Sequence, residues 1–197
     1  MSSVYSAPDV IVAQPVRTSS IASPRRLSPE EEGQLIVACQ QKKEVAYRML
    51  YDFYSPLLMS IAMRYATGLE EAEDILQEGF IKIYKSIGRY KPEGSFEGWL
   101  KRIVVNTAIN QFHRSHRIRE QQSLDNATIF HAEDADALHR LSAEELLNVV
   151  RCLPEGYRMV FNLYVIEGYD HGEIGKKLNI SESTSRSQLA KAKKRLK

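Results

Sequence analysis

Apolar side chains recur at intervals of three and four residues through most of this 197-residue chain, and this spacing constrains its fold most strongly. Such intervals place side chains on one face of an α-helix, whereas a half-buried strand alternates apolar and polar residues. No convincing alternation occurs anywhere in the chain. The first apolar stripe consists of Tyr47, Leu50, Tyr54, Leu57, Ile61 and Tyr65. The spacing predicts an all-α protein, with a kink or a break in this first long helix at Pro56.

Two more stripes follow, and then the pattern is interrupted. The second stripe consists of Ala72, Leu76, Phe80, Ile83 and Ile87. The third consists of Phe96, Trp99, Leu100, Ile103 and Thr107. Between them lies the segment GRYKPEGS, whose glycines and proline predict a loop. Helical patterning resumes near Leu146, and Pro154 marks another predicted helix start.

The interruptions divide the chain into four parts. Residues 1–27 are rich in serine and proline, which predicts a flexible tail, and Ser28 is positioned to cap the first helix. Residues 28–114 form the first predicted helical domain. Residues 115–143 lose periodicity and collect acidic and small residues, as a flexible linker does, and residues 144–197 form the second helical domain.

The distribution of charge along the chain is more informative than its net charge of +2. The stretch 99–119 contains five basic residues and no acidic one, and the stretch 176–197 contains eight basic residues and one acidic residue. Between them, residues 120–145 carry seven acids and one arginine. Two basic segments separated by an acidic spacer indicate two contacts with a polyanion. From charge alone, ordinary solvated helix faces are an equally good explanation.

Several function classes find no support in the sequence. Cys39 and Cys152 are single thiols within apolar patterns, which predicts a reduced, cytoplasmic protein. No apolar run approaches the roughly 20 residues that a membrane-spanning helix needs. His113 and His116 lie among arginines, and no metal-binding, nucleophile or phosphate-loop motif is present. We therefore expect no metal, no cofactor and no enzymatic activity.

The C-terminal segment HGEIGKKLNISESTSRSQLAKAKKRLK has the features of a helix-turn-helix. Gly175 is small where a second helix would cross, Asn179 suits a left-handed turn, and Ser181 suits a helix cap. Hydroxyls followed by arginine and glutamine suit the front of a helix that enters a major groove. The alternative is an ordinary helical hairpin with a polar surface, and the polar Ser185 at a core position counts against the motif.

With these features in view, the chain from about Tyr47 to Lys197 resembles a bacterial sigma factor of the extracytoplasmic-function (ECF) group within the sigma-70 superfamily. AEDILQEGFIKIYK is similar to the part of region 2 that docks on core RNA polymerase, and SFEGWLKRIVVNTAINQFHR to the part that melts and reads the −10 element. The segment from LPEGYR onwards is similar to region 4, which binds the −35 element. The sequence departs from the family at Gly175, where alanine is usual, and at Ser185, where valine is frequent; Asn110 stands where Asp or Asn is seen.

The resemblance implies a role for each segment. Core polymerase contacts are expected at Asp74, Gln77, Glu78, Phe80, Ile83 and Tyr84, with core packing as the alternative for the last three. Contacts with −10 DNA are expected at Ser95, Phe96, Trp99, Arg102, Asn106, Asn110 and Arg114. Contacts with −35 DNA are expected at Glu173, Ser183, Thr184, Arg186, Ser187, Gln188 and Lys191.

Within these sets the residues differ in their expected roles. Asn106 and Asn110 offer amides to the edges of unstacked bases, and Arg114 offers charge to a phosphate. Trp99 shares the apolar stripe, so we expect it to brace the helix more than to read DNA. The resemblance also implies an anti-sigma partner and leaves open whether the acidic linker enters the polymerase active centre. The competing hypotheses are a stand-alone helix-turn-helix regulator and a pure interaction protein.

Overall fold

The computed structural model describes residues 27–122 and 149–196, and within these ranges all regular structure is helical. The predicted tail and most of the predicted linker lie outside the described residues. The prediction of an all-α protein with two helical domains is confirmed. The α-helices whose two ends both lie within the described residues are α1 (Pro29–Gln40), α2 (Glu44–Tyr65), α3 (Leu69–Ser86), α4 (Phe96–Gln122), α5 (Glu155–Phe161), α6 (His171–Leu178) and α7 (Glu182–Arg195). A 3-10 turn, Ile87–Arg89, follows α3, and a π-helical turn, Asn162–Ile166, follows α5.

The first helix begins where its sequence predicts. Ser28 Oγ accepts a hydrogen bond from the backbone N–H of Glu31, and the Glu31 carboxylate accepts one from the Ser28 N–H. This reciprocal capping box satisfies donors that a helix start leaves unpaired. Pro29 occupies the first turn, where a missing N–H costs nothing.

Helix α2 is continuous through Pro56, so of the two predicted outcomes, a kink or a break, the break is wrong. Proline removes one helix hydrogen bond, but Tyr54 and Leu58 on either side of it are buried and hold the helix in place. Leu58 is fully buried, whereas the predicted stripe residue Leu57 is only partly covered. Burying one such leucine contributes about 1.5–3 kcal/mol, which is comparable with the cost of about 3 kcal/mol for a proline inside a helix.

The first domain packs α2, α3 and α4 around a common core. The predicted stripes supply it through the buried residues Leu50, Ile61, Leu76, Ile83 and Leu100. Helix α3 approaches α4 closely at Gly79, where an added Cβ would lie 3.1 Å from the Val104 side chain. Helix α4 then extends to Gln122, so its last turns lie within the segment predicted as linker.

The second domain is a compact arrangement of α5, α6 and α7. Asp170 caps α6 in a second capping box with Glu173, and Ser181 Oγ accepts a hydrogen bond from the Thr184 N–H to cap α7. Between the two helices Asn179 adopts the left-handed conformation, with φ of 55°. The turn chemistry predicted for Asn179 and Ser181 is therefore present.

Gly175 explains how tightly this turn closes. A Cβ at Gly175 would lie 2.8 Å from the backbone oxygen of Ile180, well inside van der Waals contact. The Ile180 N–H donates a 3.0 Å hydrogen bond to the Gly175 carbonyl, which holds the two segments together. The departure from the family at Gly175 therefore has a structural reason, because the missing side chain permits this contact.

Candidate nucleic-acid interface

The outer face of α7 presents a polar, basic surface at the front of the helix-turn-helix. Ser183, Arg186, Ser187 and Lys191 are exposed, and Thr184 is half-buried. The Ser183 and Thr184 hydroxyls lie 2.8 and 2.7 Å from the Ser181 hydroxyl, so they belong to the cap as well as to the surface. On the preceding helix Glu173 is exposed, and its carboxylate accepts the Asp170 N–H.

Two of the α7 side chains that were predicted to contact −35 DNA also contact other residues of the protein. Arg186 forms an ion pair with Glu182 one turn earlier, which holds the guanidinium along the helix until a stronger anion competes. Gln188 is half-buried and faces α5, where an added Cβ on Gly156 would lie 3.4 Å from its Nε2. Arg186 is therefore presented to solvent, whereas Gln188 would have to turn away from α5 to contact a base.

Ser185 is buried inside the motif and has a polar partner there. Its hydroxyl lies 2.9 Å from His171 Nδ1, and the imidazole stacks on Tyr164 with ring centroids 4.5 Å apart. A buried hydroxyl with a hydrogen bond is not destabilising in the way an unpaired one is. Ser185, whose polarity counted against the motif, is accommodated there because His171 supplies its partner, and His171 carried no signal in the sequence.

Helix α4 carries a row of four exposed polar side chains. Arg102, Asn106, Asn110 and Arg114 follow one another at intervals of four and are all exposed. Residues four apart lie on one helix face, so the two amides are flanked by a positive charge on each side. This arrangement matches the needs of unstacked single-stranded DNA, whose base edges accept amide hydrogen bonds and whose phosphates attract arginine.

An aromatic cluster fixes the start of α4. Phe96 is buried and contacts Tyr54 edge-on at 5.6 Å, and Tyr90 at 5.1 Å. Trp99 is half-buried, stacks on Phe96 at 5.7 Å and meets Tyr90 at 4.9 Å. Phe96 therefore serves the core and not a DNA surface, which corrects its assignment, while the contacts of Trp99 agree with a brace. The exposed Ser95 Oγ accepts the Gly98 N–H and caps the helix.

The residues of α3 that were predicted to contact polymerase fall into an exposed group and a buried group. Asp74 and Gln77 are exposed, whereas Phe80 and Ile83 are buried in the core. Assigning Phe80 and Ile83 to an interface was wrong, because a stripe at helical spacing does not tell which face meets a partner. Tyr84 is half-buried, and its hydroxyl donates to the Tyr47 carbonyl at 3.2 Å.

Ile81 is an apolar residue on this surface that the sequence reasoning missed. It is 51% exposed, and with Asp74 and Gln77 it follows the spacing of three and four residues that defines one helix face. Its signal was available in the sequence, since Ile81 stands out of phase with the buried stripe of α3. We call Asp74, Gln77 and Ile81 the α3 face.

Glu78 connects the α3 surface with the polar row on α4. Its carboxylate forms an ion pair with Lys82 at 2.8 Å and another with Arg114. Partial burial raises the pKa of the Glu78 carboxyl, but hydrogen bonds from Lys82 and Arg114 outweigh it, and the net pKa is lowered from 4.5. Glu78 is thus ionised at neutral pH and holds one of the two arginines of the α4 row.

Within the described ranges no group of three or more histidine, cysteine or acidic side chains is placed to hold a metal ion. Nor does any helix in those ranges combine the length and apolar character needed to cross a membrane.

Comparisons with known proteins agree with the two-domain division. Residues 50–118 match the family model for sigma-70 region 2, and residues 143–196 match the model for sigma-70 region 4. An ECF RNA polymerase sigma factor SigE of Mycolicibacterium smegmatis is 33% identical over 141 residues, covering 69% of this chain and 54% of the relative's length. The sigma-H factor of Pseudomonas aeruginosa is 27% identical over 85% of this chain and 92% of its own length. The ECF sigma-E factor of Escherichia coli K12 is 28% identical over 81% of this chain and 88% of its own length.

Two solved structures are similar at lower identity. One is the sigma factor RpoE in complex with the anti-sigma factor NepR from Bartonella quintana, with a TM-score of 0.46, 18% identity and coverage of 76% of this chain and 93% of that one. The other is an engineered region 2 of sigmaE in complex with GTAAAA, with a TM-score of 0.40, 26% identity and coverage of 51% of this chain and 100% of that one. Since both TM-scores lie below 0.5, we draw no conclusion from them. The matches to sigma-70 region 2 and region 4, together with the ECF sigma factors among the relatives, show that this chain belongs to the sigma-70 family, in its extracytoplasmic-function group.

Proposed function

We propose that this protein directs core RNA polymerase to specific promoters, opens the −10 element and so initiates transcription. The observation that carries the proposal is the exposed α4 row of Arg102, Asn106, Asn110 and Arg114 in a chain that also has a capped helix-turn-helix. One surface suits single-stranded DNA and the other suits a duplex groove, and promoter opening needs both kinds of contact.

The α3 face is the proposed contact with core polymerase. Asp74 and Gln77 offer polar groups to a basic partner surface, because carboxylates form strong charge-assisted hydrogen bonds with arginine. Ile81 adds an exposed apolar side chain, which would give such an interface an apolar centre that excludes water. Glu78 is less available to polymerase, since Lys82 and Arg114 already occupy its carboxylate.

The α7 surface is the proposed contact with duplex −35 DNA. Arg186 and Lys191 are the exposed basic residues nearest the start of the helix, with Ser187 between them and Ser183 ahead of Arg186. Arginine reads guanine through two hydrogen bonds, while lysine and hydroxyl groups mainly position the backbone. Arg186 is therefore the first candidate for sequence choice on this helix.

Several broader features follow from the same proposal. Catalysis would belong to the polymerase, so the protein has no enzymatic activity of its own, and it acts in the cytoplasm where polymerase and DNA are. An anti-sigma factor is the expected regulator, because the family resemblance implies one. A stand-alone helix-turn-helix regulator is the weaker alternative, because it gives no purpose to the region 2 match over residues 50–118.

The deciding experiment is run-off transcription with core polymerase on genomic promoter fragments, followed by transcript mapping. We expect defined start sites that require this protein. Asn106→Ala together with Asn110→Ala should reduce transcription from closed duplex by at least about tenfold, as loss of two base-edge contacts implies. A template with a pre-opened −10 bubble should recover much of that loss.

Matched variants separate the proposed surfaces. Arg48→Ala removes an exposed arginine from α2, outside the proposed surfaces, and should leave transcription unchanged. Asp74→Ala with Gln77→Ala should weaken capture of core polymerase while leaving the DNA surfaces intact. The proposal fails if the wild-type protein does not bind core polymerase, and the assignment of Asn106 and Asn110 fails if their variant is equally impaired on bubble templates.

A further inference from the structure

The last residue of α1 holds the backbone that follows α3. Gln40 Nε2 donates to the Tyr90 carbonyl at 3.1 Å and to the Ile87 carbonyl at 3.3 Å. The end of a helix leaves carbonyls without partners inside the helix, and side chains from other elements can satisfy them. Since both acceptors are carbonyls, these contacts require a hydrogen-bond donor at residue 40.

Helix α1 gives Gln40 a fixed support. Its neighbour Cys39 is fully buried, and Leu35, about one turn earlier, is also buried. A second polar contact joins α1 to α2, since the Tyr54 hydroxyl donates to Glu32 Oε2 at 2.7 Å. A hydrogen bond to an ionised carboxylate is stronger than one between neutral groups. The Gln40 amide is therefore presented from a helix that is anchored at two points.

The chain between Tyr90 and α4 forms an exposed loop. We call residues 91–95 the entry loop, and all five are exposed. The Tyr90 ring contacts Phe96 at 5.1 Å and Trp99 at 4.9 Å, while its hydroxyl donates to the Gly94 carbonyl at 3.2 Å. Tyr90 thus contacts both the entry loop and the start of α4, and its position determines where the entry loop lies.

The entry loop extends the row of polar side chains on α4. Ser95, the last residue of the loop and a proposed −10 contact, stands seven residues before Arg102. Seven residues are two helical turns, or about 10 Å along the axis, so the two side chains share a helix face. A displacement of Tyr90 would therefore move one end of the surface that we propose for −10 DNA.

We propose that Gln40 is a positioning residue that sets the choice of −10 sequence by holding the entry loop in place. This inference rests on the proposed function. Gln40 precedes residue 50, where the region 2 family match begins, so that match assigns it no role. Discrimination is a difference between affinities for right and wrong bases, and it depends on contacting groups that are held in place. Loss of the Gln40 donor therefore lowers discrimination without removing any group that contacts DNA.

Three variants at residue 40 separate the hydrogen-bond donor from the bulk of the side chain. Gln40→Leu removes the donor and keeps a similar volume, Gln40→Glu places a carboxylate against the two carbonyls, and Gln40→Lys restores a donor. Gln34→Leu makes the first of these changes at an exposed position of the same helix and is the matched control.

Holoenzyme reconstituted with each variant is compared on promoters found by transcript mapping and on the same promoters with single-base changes in either element. We expect Gln40→Leu and Gln40→Glu to reduce discrimination among −10 sequences about three- to tenfold, the range expected from losing one or two partly buried hydrogen bonds. Discrimination among −35 sequences should stay unchanged. Gln40→Lys and Gln34→Leu should behave as the wild-type protein does at both elements.

A second measurement needs no polymerase. Trp99 is the single tryptophan of the chain and contacts Tyr90, so acrylamide quenching of its fluorescence reports whether Tyr90 stays in place. Quenching should increase in Gln40→Leu and Gln40→Glu, because a displaced Tyr90 uncovers the indole. It should remain at the wild-type level in Gln40→Lys and Gln34→Leu.

The inference is overturned if Gln40→Leu, shown to be folded by circular dichroism, keeps wild-type discrimination at −10, or loses discrimination at both elements equally. It is also overturned if Gln40→Lys is as impaired as Gln40→Leu. Absence of promoter-specific transcripts with the wild-type protein contradicts the proposed function itself. Unchanged Trp99 quenching in all variants contradicts only the positioning of Tyr90 by Gln40, so the two failures are distinguishable.

Discussion

Cys39 and Cys152 show how the surroundings of one side chain set its chemistry. Cys39 is fully buried in the first domain, and this burial raises the pKa of its thiol to about 11. The thiolate is the reactive form, so Cys39 stays protonated and unreactive at neutral pH. Cys152 is exposed. The two thiols therefore report on folding at different positions.

At pH 8, iodoacetamide should modify Cys152 and leave Cys39 intact in the folded protein. In urea both thiols should react, because unfolding removes the burial that raised the Cys39 pKa. Mass spectrometry of tryptic peptides measures both sites in one sample. Rapid modification of Cys39 in native protein would contradict its placement in the core.

Two glycines inside helices should respond oppositely to the same change. Gly175→Ala should lower the free energy of unfolding by about 1–3 kcal/mol, since the new Cβ meets the Ile180 oxygen at 2.8 Å. Gly33→Ala should raise it by about 0.5–1 kcal/mol, because nothing lies within 4 Å of the added Cβ and alanine favours helix. Thermal unfolding followed by circular dichroism compares the two, and a stabilising Gly175→Ala would show that the turn relaxes easily.

Helices α6 and α7 are joined by a polar pair that neither helix specifies alone. Ser185 lies on α7, His171 begins α6, and their hydrogen bond of 2.9 Å crosses between them. Capping at Asp170 and Ser181 fixes where each helix begins, and the pair then fixes how they face one another. Under the proposed function, this contact would help to set how α7 is presented to DNA.

A double-mutant cycle measures that coupling. Ser185→Ala should cost about 1–2 kcal/mol by leaving the His171 nitrogen without its partner. In a His171→Phe background, which keeps a ring against Tyr164, the same change should cost much less. Urea unfolding of the four proteins gives an expected coupling of about 1 kcal/mol. Additive effects would mean that the 2.9 Å contact does not contribute to stability.

At the scale of the whole molecule, the interdomain contacts make the two domains one cooperative unit. Buried side chains from both, such as Ile61 of α2 and Met159 of α5, belong to one continuous hydrophobic cluster. Calorimetry should therefore show a single unfolding transition in the wild-type protein. Glu167→Arg should split this single transition into two. The change replaces the 3.0 Å ion pair between Glu167 and Arg64 with two like charges, which weakens the contact between the domains and lets the smaller domain unfold first. Two transitions in the wild-type protein would contradict this coupling.

The parts of this architecture that the sequence predicted are those governed by neighbouring residues. Helical stripes, the Ser28 cap and the Asn179 turn depend on side chains within about one helical turn of each other. The hydrogen bond from Asn162 Nδ2 to the Arg64 carbonyl spans 98 positions of sequence, and no local pattern marks either residue. Phe80 was misassigned for a related reason, since a stripe identifies an apolar face without identifying what covers it.

The length of α4 adds a mechanical consequence. The helix runs on from Asn110 to Gln122, which at 1.5 Å per residue makes a rigid arm of about 18 Å beyond the last proposed base contact. If the helix tilts by about 10° as DNA strands separate at Asn110, the far end moves by about 3 Å. Strand separation at one end of α4 would then reposition the point from which the chain continues toward the second domain.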